Sequence, residues 1–230
     1  MKIFHFGDTH GNHRDLQVPE DIDIAIFSGD AGTYRDPSMN EPIVRDFIDW
    51  FSELNIKYKV MIAGNHDSSI EQRMFGERYF KERGIIYLEN NDVTIEGIKI
   101  WGSPYTPTFG NWCFMKSRHK IHKIWDEIPE DTDILVTHGP PKGVLDLTEN
   151  YDGSLEMCGC ANLFRQVYQR IKPKYHLFGH IHNRYKREYH NAGMLQIANC
   201  NTIFSNGSVC RDADMGKIYT NGNVFNYETD

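Results

Sequence analysis

No stretch of this chain is apolar for long enough to cross a bilayer as a helix, and no linker, repeat or low-complexity tract interrupts it. Positive charge is in deficit: 25 Lys and Arg stand against 32 Asp and Glu, a formal net charge of -7. That balance argues against broad electrostatic attraction to nucleic acid or to an anionic membrane surface. Cysteine is scarce. Cys113, Cys158, Cys160, Cys200 and Cys210 are odd in number and lack the spacing of a disulfide framework. Cys158-Gly-Cys160 has no second pair at zinc-ribbon distance, so reduced thiols in a reducing compartment are expected. The opening MKIFHFGDTHG starts a strand at about residue 2 and leaves no room for a signal peptide; a cytoplasmic location is the expectation. Asn206-Gly-Ser208 matches a glycosylation sequon but means little without a secretion signal. A Walker P-loop, an H-E-x-x-H helix and a G-x-S-x-G elbow are all missing, so ATP chemistry and a serine nucleophile have no support.

The 230 residues, 40% hydrophobic and 25% charged, suit one globular domain over 1–230 with a real core. Short apolar strands recur, each followed by a polar cluster: Ile3–Phe6, Ile22–Phe27, Val60–Ala63, Ile134–Val136 and Tyr175–Phe178. Pro42–Leu54 and Ala161–Ile171 carry apolar residues at helical spacing. Val93–Ile95 and Ile98–Trp101 flank Glu96-Gly97 and predict a hairpin. Leu195–Ala198, Lys217–Tyr219 and Val224–Tyr227 predict late strands joined by Asn/Gly turns, of which Asn221-Gly222 is the clearest. A βαβ-type front half and a strand-rich back half suggest two packed mixed sheets with helices outside.

The polar clusters form a series: Asp8-x-His10, Asp30 after a glycine, Asn65-His66, His138, and His180-x-His182. Strand C-terminal ends share one rim in an α/β sheet, where ligands collect. Donors two apart suit loops, because a helix would point i and i+2 away from each other. Neutral imidazoles suit divalent transition metals, and the Asn65 amide oxygen ligates without adding charge. A carboxylate with two oxygens can bridge two cations, and Asp30 is the natural bridge. Two metals about 3.5–4 Å apart can hold a bridging hydroxide and clamp an in-line phosphoryl displacement. With Asp8 and Asp30 giving two negative charges and two divalent cations four positive, a bridging hydroxide leaves the loaded site at about +1. An acidic protein can therefore bind a phosphate anion once it has bound metal.

This order, D-x-H, G-D, G-N-H-D, a lone H and G-H-x-H, resembles the calcineurin-like metallophosphoesterases over nearly the whole chain. Gly102-Ser-Pro-Tyr-Thr-Pro107, Val136-Thr-His-Gly-Pro-Pro141 and Lys172–His182 are similar to the metallophosphoesterase-domain-containing subgroup, itself similar to class III cyclic nucleotide phosphodiesterases. The resemblance implies an α/β, four-layer αββα sandwich of the metallo-dependent phosphatase type. It implies a phosphodiesterase acting on cyclic nucleotides or other small phosphodiesters, with a phosphomonoesterase as the alternative and a nuclease or metal-free scaffold behind it. It implies two divalent ions, Mn²⁺ first, with Fe, Zn or Co accepted by the same donors. Asp8, His10, Asp30 and His182 would hold one, and Asp30, Asn65, His138 and His180 the other. His66 would be catalytic, and Asn65 and His66 would meet the substrate.

Two features depart from relatives. Gly29-Asp30-Ala31-Gly32-Thr33-Tyr34-Arg35 lacks the second Asp and the Arg-Gly of the protein phosphatases, which leaves His66 without their acidic partner. Thr33 stands where purple acid phosphatases place a tyrosine. Of the other histidines, His5 and His176 are expected in the sheets and His13 on a surface loop. Trp101, Tyr105, Phe109 and Trp112 are expected either to line a base pocket or to pack on the hairpin, and Arg184, Lys186 and Arg187 to form a solvated strand face.

Overall fold

Alternate residues of the first strand face two different cores, because side chains change sides at every residue of a strand. Ile3 belongs to one apolar cluster, Phe4 and Phe6 to another. The same alternation runs through the two large sheets of the computed structural model, which describes residues 1–150, 152–182, 190–211 and 214–228. Their strands are β1 (Lys2–Phe6), β2 (Ile24–Phe27), β3 (Tyr58–Met61), β4 (Ile85–Tyr87), β5 (Asn91–Ile95) and β6 (Ile98–Ser103), then β7 (Ile134–Thr137), β8 (Tyr175–Phe178), β9 (Gly193–Gln196), β10 (Ile203–Asn206) and β11 (Asn223–Asn226).

The first sheet runs β11-β1-β2-β3-β4, parallel except for β11 at its edge. The second runs β9-β10-β8-β7-β6-β5, parallel in the middle with antiparallel β9 and β5 outermost. Ile24, Ile26, Val60 and Ile62 of the first sheet meet Ile98, Ile100, Ile134, Val136 and Leu177 of the second in a shared apolar layer. The outer face of the first sheet is covered by α1 (Pro37–Glu53) through Val44, Phe47, Ile48 and Phe51. The outer face of the second packs on Ile124, Trp125, Leu163, Val167 and Ile171. Three apolar layers between four structural ones make the αββα sandwich the sequence led us to expect. Phe47 is fully buried, 4.2 Å from Phe27 between ring centroids and also against Phe6 and Phe51. Phe47→Ala should cost about 3–5 kcal/mol in a denaturant melt, since the cavity cannot collapse between two rigid layers.

Several boundaries differ from expectation. Helix α1 starts at Pro37, five residues before Pro42, because the Asp36 carboxylate caps the amides of Ser38 and Met39. The segment Ala161–Ile171 is α-helical only to Arg165 and π-helical from Gln166. Its buried residues Leu163, Val167 and Ile171 recur every four positions, and a wider turn keeps them on one face. Asn221-Gly222 does not close a hairpin between the last two strands. Strand Asp214–Ile218 pairs with Cys210–Arg211, whereas β11 crosses to pair with β1. The hairpin of β5 and β6 around Glu96-Gly97 is present. No helix among the described residues is long and apolar enough to cross a membrane. Described cysteines are all free thiols, and the sequon asparagine, Asn206, is buried and donates to the carbonyls of Leu145 and Ile181.

Candidate metal centre

Each predicted donor follows the C-terminal end of a parallel strand: Asp8 and His10 after β1, Asp30 after β2, Asn65 and His66 after β3, His138 after β7, His180 and His182 after β8. The parallel ladders continue past the strands through Asp8 N–H to Gly29 O, His10 N–H to Asp30 O and Gly179 N–H to His138 O, at 2.8, 3.1 and 2.9 Å. The two rims are joined by Gly7 N–H to Gly207 O at 2.9 Å and by His180 N–H to the Asp8 carboxylate at 3.0 Å. Asp8, His10, Asp30 and His180 all have positive φ, between 44° and 71°, a region that Asp and His enter more readily than most residues. That backbone folds the donors back over the strand ends. Strain of this kind gathers at functional sites.

Donor atoms of Asp8, His10 and His182 lie within 4.8 Å of one another, as do those of Asp30, His138 and His180, and those of His10, Asp30 and His66. Asp30 thus belongs to two groups and stands between the others. Asn65 Oδ1 joins the second cluster at 2.9 Å from His138 Nε2, which is also 3.2 Å from Asp30 Oδ2. All eight residues named from the sequence come together, with Asp8, His10, Asp30, Asn65, His138 and His182 buried.

A cation fits this arrangement. His10 Nδ1 donates to Gly32 O and His138 Nδ1 to Ser28 O, each at 2.9 Å, so each ring turns its Nε2 lone pair inward. The His10 lone pair faces His182 Nε2 at 3.4 Å, and that of His138 faces two oxygens. At His138, where a lone pair faces two acceptor oxygens, positive charge is needed between them. A proton serves when no metal does. Burial opposes a charged His138, but Asp30, helped by Asp8 and the Ser28 carbonyl, lifts its pKa to about 9. Burial would raise Asp8, yet the hydrogen bond and charge of His182 hold it down to about 2. Asp30 is likewise held well below its usual range by His138 and His66 against its own burial. His10 is pushed down to about 4, chiefly by burial, and is a neutral ligand.

Residues that the motifs did not single out hold this cluster in place. Asp67, the last residue of the GNHD stretch, is buried and accepts the amides of Asp30, Gly32 and Gly64 at 2.9, 2.8 and 2.7 Å. It ties the β2 loop to the β3 loop. Burial and the Asp30 charge push its pKa up to about 6, against the pull of those amides. Ser208 Oγ donates to Asp8 Oδ2 at 2.7 Å, and Asn40 Nδ2 to His66 O at 2.8 Å. The acidic partner that His66 lacks is replaced by a backbone carbonyl: His66 Nδ1 donates to Thr33 O at 3.0 Å. The ring also lies against Trp112, centroids 4.1 Å apart. Of these residues, Asp67 alone carried a signal in the sequence, its place in the motif; the rest are isolated polar or aromatic residues.

Gly64 shows how little space the motif leaves. A Cβ there would fall 2.6 Å from His138 Cε1 and 2.7 Å from Asp30 N, and would strike the Asp30 carboxylate itself. Gly64→Ala should therefore weaken divalent-metal affinity by about 10–100-fold, as outer-shell disturbances of metal sites do, with little change in far-ultraviolet circular dichroism. Calorimetric titration with Mn²⁺ would check it.

Other expectations divide. His5 is inside, hydrogen-bonded to Ser205 and Ser28 at 2.8 and 3.1 Å, and His176 meets Thr137 at 2.9 Å. Burial lowers both to about 3, so they are neutral. His13 is not on a surface loop. It is buried against Phe47 and Trp50, with Nε2 3.0 Å from Asp46, because its short helical turn packs under α1. The four aromatics split: Trp101 is core, Tyr105 half-buried packing, while Phe109 and Trp112 flank His180 and His66. Arg184, Lys186 and Arg187 lie outside the described residues.

The profile of the calcineurin-like phosphoesterases matches residues 1–184. Metallophosphoesterase domain-containing protein 1 of Homo sapiens is 33% identical over 226 residues, covering 88% of this chain and 64% of that protein. The chain thus spans 64% of the human relative's length. A UPF0046 protein of Caenorhabditis elegans is 31% identical over 238 residues, covering 98% of this chain and 74% of its own. Among solved structures, the phosphopantetheinyl hydrolase of Mycobacterium tuberculosis superimposes with a TM-score of 0.53 at 14% identity, over 93% of this chain and 90% of that one, a likeness of fold alone. Enzymes matching this profile use a dinuclear divalent metal centre. The chain belongs to the calcineurin-like phosphoesterase family.

Proposed function

We propose that this chain is a dinuclear-metal phosphodiesterase for small phosphoesters, cyclic nucleotides among the candidates. Asp8, His10, Asp30 and His182 hold one divalent cation, Asp30, Asn65, His138 and His180 the other, and Mn²⁺ is our first choice of metal. The observation that carries the reading is the pair of donor clusters meeting at Asp30, with His66 beside both. When bound, the two cations supply an activated water and a clamp for the phosphate oxygens.

The chain's own residues do the rest. Gly32 and Ser28 carbonyls hold the Nδ1 protons of His10 and His138, so both rings aim Nε2 at the metal positions, and His138 gives up its Nε2 proton when a cation binds. Thr33 O keeps the His66 Nδ1 proton occupied, which leaves Nε2 as the atom that gives its proton to the departing alcohol. The water's hydroxyl stays on phosphorus as the ester bond breaks, the departing alcohol takes the His66 proton, and the water's other proton restores His66.

The test is Mn²⁺-loaded protein against 2′,3′- and 3′,5′-cyclic nucleotides, an aryl diester, the matching monoester and single-stranded oligonucleotides. At least one diester should be the best substrate. Faster cleavage of the monoester than of every diester would replace this reading with the phosphomonoesterase alternative.

A further inference from the structure

Beside His180 the surface opens into a cavity of about 270 Å³, walled by Pro107, Phe109, Pro140 and Cys158, with Arg118 among its lining residues. His180 is itself part of the wall, so the cavity is continuous with the donor cluster. The Phe109 ring lies 5.0 Å from the His180 ring. Arg118 donates to the carbonyls of Cys158 and Gly159 at 3.1 and 3.3 Å, which braces the far wall and spends much of its polarity. The rest of the lining is mainly apolar, with Ile181 beside the rings and Thr148 adding a hydroxyl. The volume falls just below the usual ~300–1,000 Å³ of ligand pockets and suits one ring on a short linker.

The same loop crosses the mouth of the site and places a second ring, Trp112, against His66, while Cys113 N–H bonds Asn65 O at 3.3 Å. The site therefore has two flanks, one at His66 and one at the cavity. In-line displacement sets the entering and leaving oxygens opposite each other and sends the unbroken ester group sideways. His66 serves the leaving oxygen, which assigns the cavity flank to the other substituent.

We propose that this cavity holds the retained ester group of a phosphodiester, and that the group it selects is an uncharged aromatic ring. This rests on the phosphodiester reading above. Water adds to phosphorus, the leaving alcohol departs with a proton, and the ring stays on the monoester product.

Two esters with one leaving group isolate the effect: p-nitrophenyl phenyl phosphate and p-nitrophenyl methyl phosphate. The phenyl ester should have a KM about tenfold lower, the effect of burying one ring. Phe109 is 41% exposed, so Phe109→Ala should fold; it should shrink the KM ratio between the two esters about fivefold. A readout independent of turnover uses half-buried Cys158: phenylphosphonate should slow its alkylation by iodoacetamide on the metal-loaded protein, and methylphosphonate should not. Equal KM values, a ratio unchanged in Phe109→Ala, or equal alkylation with both phosphonates would each overturn the proposal. Equal KM values with brisk turnover would leave the phosphodiester reading standing. No turnover of either ester with two cations bound would sink both.

Discussion

Asp30→Asn is expected to leave the chain folded but with less than one divalent cation bound, and to lower turnover beyond the ~100-fold that outer-shell losses produce. Asp30 is buried, its Oδ1 accepts the His66 amide at 2.6 Å, and its Oδ2 faces His138 Nε2 at 3.2 Å. An asparagine must keep its oxygen toward the amide, which turns its NH₂ toward His138. That NH₂ would donate into the lone pair meant for metal and fill the space between the clusters. The variant also removes the carboxylate that keeps buried His138 charged, so its metal-free form should melt below the metal-free parent. Metal content by mass spectrometry and a thermal melt check both halves. Two cations still bound at parental affinity would remove Asp30 from the bridge position.

His66→Ala separates metal binding from proton donation. Its side chain is held by Thr33 O and Trp112, and it shares a donor group only with His10 and Asp30. The clusters of Asp8, His10 and His182 and of Asp30, His138 and His180 do not need it. The variant should keep two cations and lose about 10²–10⁴ in kcat on an ester whose alcohol leaves poorly. On a p-nitrophenyl ester the loss should be much smaller, since nitrophenolate departs without a proton. An equal loss on both esters would point to a structural role and not a proton donor. An unchanged rate on the poor leaving group would take His66 out of catalysis.

The donors were legible because their chemistry is concentrated in short motifs that each follow an apolar run, so Asp8, His10, Asp30, Asn65, His66, His138, His180 and His182 could be read together. Two packed mixed sheets with helices outside followed from a βαβ-type front half and a strand-rich back half, and the four layers were what the family resemblance implied. What supports the donors was not legible, for a physical reason. Ser208 reaches Asp8 and Asn40 reaches His66 O across 200 and 26 positions of sequence, and no local pattern announces such a pair. The positive φ values of Asp8, His10, Asp30 and His180 are imposed by the packed rim, and although Asp and His tolerate that region, their identity alone does not announce it. His13 misled because its polar neighbours suggest solvent, whereas Phe47 and Trp50, which enclose it, lie more than thirty residues on.

Crystals grown with Mn²⁺ and measured at a wavelength where manganese scatters anomalously would put the whole reading to the test in one map. Two peaks should appear about 3.5–4 Å apart, both touching Asp30, one among Asp8, His10 and His182 and the other among Asn65, His138 and His180. A single peak, or peaks remote from these seven side chains, would contradict it.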